Sequence, residues 1–142
     1  MATKQLCTFR LADHLYGIGL EALQEVTRHI PMTPVPASSA WVAGLLSLRG
    51  QIITALDLRT RLALPPRSRE QNPMNVVVLH DKELVCLLVD SISDIIFVDE
   101  EDFCLPPATL DQEMQSFIIG AYKLDKELVV ELDLEEIIHA AR

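Results

Sequence analysis

Four histidines, His14, His29, His80 and His139, are where metal ligation or proton transfer would begin. Either task needs a second ligand or acid one helical turn away, or a thiol at ligand spacing. No two of the four stand at i, i+3 or i+4 from each other, none stands at ligand spacing from a cysteine, and three fall in turns or at element ends, so they read as surface residues. Three cysteines, Cys7, Cys86 and Cys104, are odd in number, far apart and set among apolar residues. That pattern reads as reduced, buried thiols and not as a disulfide framework. Asp57 and Asp133 could share acid–base work as a carboxylate pair, but each stands just before a short apolar helix, which is the place of a cap. The run Asp99-Glu100-Glu101-Asp102 lacks the alternating oxygen spacing of a calcium loop and reads as a solvated loop. Five glycines build no phosphate cradle, and no Gly-x-Ser-x-Gly elbow is present. The residues thus point to no catalytic site, no metal and no cofactor. A small enzyme on a β scaffold would need a clustered polar site, which the spacing does not provide.

The cations are more suggestive. Arg59, Arg61, Arg67 and Arg69 stand within eleven residues and read either as a docking edge for an acidic partner or as a solvated loop edge. Arg49 lies in the dipeptide Arg49-Gly50 between two apolar runs, at a hairpin tip. Its five-donor head suits a partner's carboxylates, though an ordinary exposed arginine fits as well. Overall the 142 residues carry a net charge of −9, with +3 on residues 1–71 and −12 on residues 72–142. Nucleic acid is a poor partner for such a chain, because phosphate binding needs clustered cations. No apolar run reaches the roughly 20 residues of a membrane span, and no signal peptide opens the chain.

The elements that must position these residues come twice. Residues 44–58 lie over residues 120–134 without a gap at an offset of 76, and residues 20–26 lie over 89–95 at an offset of 69. Two motifs repeated in one order imply two copies of one small β unit, approximately residues 6–62 and 75–139. Strands are expected at Gln5–Leu11, Leu15–Leu20, Gln24–Arg28, Trp41–Leu48, Gln51–Leu56, Asn75–Leu79, Leu84–Val89 and Ile92–Val98. Met114–Leu124 and Glu127–Leu132 form a closing hairpin, and short helices cover Leu58–Leu62 and Leu134–Ala141. About ten short strands with regular turns predict an all-β sandwich or a pair of barrels. With 49% apolar but only 5% aromatic residues, the core is aliphatic, and the long apolar runs predict strands covered on both faces.

Taken in order, these pieces resemble the CheW-type coupling proteins of bacterial chemosensory systems. The resemblance runs over about residues 6–139 and rests on Phe9-Arg10-Leu11, Tyr16-Gly17-Ile18, Gln24-Glu25-Val26, Pro36 to Gly44, Leu48-Arg49-Gly50, Leu56-Asp57-Leu58-Arg59, Leu87-Leu88-Val89-Asp90 and Gly120. It implies two five-stranded SH3-like barrels around a shared apolar core, with short helices including a C-terminal one, and no catalysis. It implies two partners: the cytoplasmic helical tip of a chemoreceptor and the regulatory domain of a CheA-type histidine kinase. The location implied is the cytoplasm, with recruitment to membrane receptor arrays and no insertion into the membrane.

Carried over by motif, Leu20, Leu23 and Glu25 border a receptor-binding groove, Val89 and Ile92 supply its other wall, and Arg49 supports receptor coupling. Arg59 and Arg61 remain possible docking residues. Three positions depart from the family pattern: Ser47 replaces a usual Asn, Cys86 a usual Gly near the implied groove, and Ala55 a usual Pro or bulkier residue. Such changes suit a kinase-regulatory or scaffold module of a non-flagellar pathway, such as surface sensing or pilus motility. The first Met and the closing helix read as a stand-alone protein instead of a module within a kinase.

Overall fold

Eleven strands, three short α-helices and two single-turn 3-10 helices (Leu20–Ala22 and Glu100–Asp102) lie in the described residues, 3–36 and 39–139, of the structure, a computed structural model. The strands are β1 (Thr3–Leu11), β2 (His14–Gly19), β3 (Leu23–Thr27), β4 (Val42–Leu48), β5 (Gln51–Asp57), β6 (Met74–His80), β7 (Glu83–Val89), β8 (Ser91–Asp99), β9 (Phe103–Cys104), β10 (Ile118–Lys123) and β11 (Leu128–Leu132). The helices are α1 (Leu58–Arg61), α2 (Gln112–Phe117) and α3 (Leu134–His139). The fold is all-β with short helices, as expected. Ala140 and Ala141 of the expected last helix, and Ala37 and Ser38 of the Pro36–Gly44 motif, lie outside the described residues.

One sheet has the order β8-β1-β2-β11-β10-β9, and the other β3-β6-β7-β5-β4. Their pairings coincide residue by residue at the two offsets found in the sequence. Leu23↔Val78 and Val26↔Val76 in one sheet answer to Ile92↔Phe9 and Ile95↔Cys7 in the other. Thr54↔Val85 answers to Val130↔Tyr16, both in parallel pairs, and Gly44↔Ala55 answers to Gly120↔Glu131. The register shifts recur at matching places too.

The sheets are nevertheless not the two halves of the chain. Each joins the opening hairpin of one copy (β1–β2 or β6–β7) to the later strands of the other copy. The repeats are contiguous in sequence and exchanged in space. The sixth strand, β9, is the one addition to the expected five; its counterpart is the isolated bridge Thr33↔Leu45. The paired glycines of the repeat are explained there. A Cβ on Gly44 would meet the Thr33 carbonyl oxygen at 2.6 Å, and one on Gly120 the Cys104 carbonyl oxygen at 2.8 Å. Both glycines let a crossing backbone approach closely.

Both faces of the central strands β1 and β7 are covered. Cys7, Phe9, Leu11 and Ile18 meet Val76, Val78, Val85 and Leu87 in the shared core, with Leu56, Leu132, Ile137 and Ile138. Leu46, Ile53, Ala55, Val77, Cys86 and Leu88 fill one sheet's own interior, and Leu6, Leu15, Val98, Tyr122 and Val129 the other's.

The residues expected as one strand, Met114–Leu124, divide into α2 and β10. Asp111 caps α2 by accepting the Met114 N–H at 2.8 Å, so the apolar Met114 and Phe117 lie on a helix. Cys104 is exposed and corrects the expectation of three buried thiols; Cys7 and Cys86 are buried.

Candidate functional site

The β4–β5 turn is built from Arg49 at φ 52° and Gly50 at φ 80°, the left-handed pair that a two-residue hairpin needs. The turn carries the Arg49 head across to β3. Its Nε donates to Glu25 Oε1 at 3.0 Å, and its Nη2 to Oε2 at 2.9 Å. The pair stays open to solvent, with the Arg49 side chain 76% exposed. The hydrogen bond from Arg49 holds the Glu25 carboxyl below the usual carboxylate range, and Glu25 raises the guanidinium in turn.

Leu20 and Leu23 are half-buried on the shared core, and so is Ile92, the counterpart of Leu23. The structure therefore gathers Leu20, Leu23 and Ile92 on one core and couples Glu25 to Arg49. Val89, the counterpart of Leu20, is fully buried in the shared core and offers no wall of its own.

Three of the four clustered arginines, Arg59, Arg61 and Arg67, are turned inward, and Arg69 is exposed. Arg61 is 5% exposed, with its guanidinium carbon 4.4 Å from the Trp41 ring centroid and 4.3 Å from that of Phe117. Trp41 and Phe117 are themselves counterparts at the offset of 76. Their carbonyls accept from the N–H groups of Asp57 and Asp133, each at 2.8 Å. Arg61 Nε donates to the carbonyl of Ile137, its own counterpart, at 3.2 Å. The cation lies where the two copies meet, and burial pulls it below the usual arginine range.

Arg59 is held too: its Nε donates to Asp90 Oδ1 at 2.9 Å and its Nη1 to the Pro65 carbonyl at 3.0 Å. Arg67 Nε reaches the same carboxylate at 2.9 Å, while Asp90 also accepts the Ala12 N–H at 2.8 Å. Of the expected docking edge, Arg61 is thus buried between the copies, and Arg59 belongs with Arg67 to an internal clamp. Its centre is Asp90, a motif residue whose role the sequence reading did not assign. Burial pushes the Asp90 carboxyl up, but Arg59, the Ala12 N–H and Arg67 outweigh it and hold it below the usual range.

Cys86 points into the interior of one sheet, where its thiol donates to Asn75 Oδ1 at 3.2 Å, and not into the surface formed by Leu20, Leu23 and Ile92. It pairs in register with Ala55. Two departures from the family pattern are therefore neighbours in register, a larger residue beside a smaller one.

A family model described as the CheW-like domain matches residues 5–142. The chain belongs to the CheW-like family. The probable chemotaxis protein CheW of Rhizobium etli is 28% identical over 93% of this chain and 85% of its own length. The chemotaxis protein CheW of Treponema pallidum is 27% identical over 94% of this chain and 81% of its own. Among solved structures, the scaffolding protein TtCheW of Thermoanaerobacter tengcongensis superposes with a TM-score of 0.85 at 26% identity, covering 96% of this chain and 92% of that one. CheW-like proteins are noncatalytic scaffolds. No helix among the described residues is long and apolar enough to cross a membrane.

Proposed function

We propose that the chain couples the cytoplasmic helical tips of chemoreceptors to the regulatory domain of a CheA-type histidine kinase, in the cytoplasm at membrane receptor arrays. The observation that carries this reading is the Glu25–Arg49 pair, set on the same strand as the half-buried Leu23. The half-buried Leu20, Leu23 and Ile92 on the shared core, with one oriented ion pair on β3, suit a partner helix with an apolar face and a charged flank. Arg49 gives the planar fork that a carboxylate of the partner would engage, and Glu25 keeps that fork aimed until it does. The coupling involves no reaction: the chain holds two proteins at a fixed spacing.

The test mixes purified chain, kinase and receptor fragment, and reads kinase activity and co-sedimentation together. All three should pellet, and kinase output should rise only when receptor is present. Co-sedimentation without a change in output would refute coupling and leave a scaffold. Failure to bind either partner would refute both.

A further inference from the structure

The two copies serve as controls for each other: what the fold requires recurs, and what differs has another cause. At the offset of 69, β8 matches β3, with Ile92 over Leu23, Ile95 over Val26 and Phe97 over Arg28. Arg28 is exposed, so the fold asks for no apolar side chain at that place. Yet Phe97 is 70% exposed; it lies beside Ile95, which is exposed like its counterpart Val26, and residues two apart on a strand share one face. Phe97 is followed by the acids Asp99 to Asp102, where the other copy runs Ile30-Pro31-Met32-Thr33.

Strand β8 also ends its sheet. It pairs with β1 alone, so among the described residues its second edge carries no ladder. Edges of this kind are ordinarily guarded by lysine, proline or a covering loop. Among the described residues no ion pair reaches Asp94 or the Asp99–Asp102 run. Lys4, which lies opposite Val98, is spent on Glu131 at 2.5 Å.

We propose that the free edge of β8 receives an extended segment of another protein, added as a further strand, with apolar side chains beside Ile95 and Phe97 and lysines or arginines over Asp99–Asp102. The open edge supplies the backbone pairing, the apolar pair the contact area, and the acids the orientation. A second copy of this chain is the poorer occupant, because it brings the same acids and a net charge of −9. The proposal does not depend on receptor or kinase coupling.

The probe is a short fluorescent peptide that alternates Val with Thr and ends in a run of lysines, added to the full chain and followed by anisotropy. Saturable binding that weakens with salt is expected. Backbone N-methylation of the peptide should abolish it, and Phe97→Gln should weaken it about tenfold, the loss of a buried aromatic anchor. Phe97→Gln should leave the melting temperature unchanged, since the counterpart Arg28 is polar. Glu100→Gln with Glu101→Gln should flatten the salt dependence. The proposal falls if the N-methylated peptide or the Phe97→Gln chain binds like the original. It falls also if sedimentation shows two chains joined through this edge and the peptide does not separate them.

Discussion

Arg49→Glu sets two carboxylates against each other where one ion pair stood. The site is exposed, so the melting temperature should hold while co-sedimentation with receptor is lost. Combining it with Glu25→Arg restores the pair with its charges reversed. If the double variant recovers receptor binding, the pair matters as a unit; if it does not, the partner reads the sign of position 49. Thiol chemistry separates the three cysteines. Burial raises Cys7 and pushes Cys86 up to about 12, so neither supplies thiolate at neutral pH. A disulfide reagent should label Cys104 alone in the folded chain, and all three after denaturation. At this scale the sequence was half legible. Arg49 stood out because a hairpin tip leaves a side chain free, and Glu25 came from the family motif. Their contact, between residues far apart in the chain, depends on a sheet register that no local pattern encodes. Arg61 misled for a related reason: a charge that lies between Trp41 and Phe117 looks in sequence like any surface arginine.

The clamp at Asp90 ties together the β1–β2 turn, α1 and the loop after it. Asp90→Asn leaves Arg59 and Arg67 facing a neutral amide in a place where the Asp90 side chain is only 9% exposed. The expected loss is about 3 kcal/mol, read from urea denaturation at neutral pH. The pH dependence has a definite sign. Because the folded carboxyl titrates lower than the unfolded one, its contribution is complete above the ordinary aspartate range and fades as pH falls through the folded value. Wild type should therefore lose stability on acidification more steeply than Asp90→Asn. Most elements were readable from alternation and turn residues, and Asp57 was read as the cap it is, accepting the Arg59 N–H at 3.1 Å. Helix α2 was not: Met114, Phe117, Ile118 and Ile119 look like a strand, and the signal that could have found the helix was Asp111 placed to cap it.

The repeat was visible in sequence because the same register, the same bulges and the same backbone crossing constrain both copies. The exchange of hairpins was not, since pairing a hairpin with its own copy or with the other asks for the same residue types. It has a measurable effect. Ser68, Arg69, Glu70, Gln71 and Asn72 form an exposed stretch between the copies. A protease site placed there and then cut should leave both pieces eluting together in gel filtration, at the size of the intact chain. Each piece owns strands in both sheets, so separation would require both to be dismantled.

A gene encoding only one such copy would make a chain with a hairpin that has nowhere to close. In the arrangement seen here, its strands would be satisfied by lending that hairpin to a twin and borrowing the twin's in return. Two such chains would then pair as a homodimer with the arrangement that the two copies hold here. Arg61, set against the backbone of its own counterpart, marks where the symmetry axis of such a pair would pass.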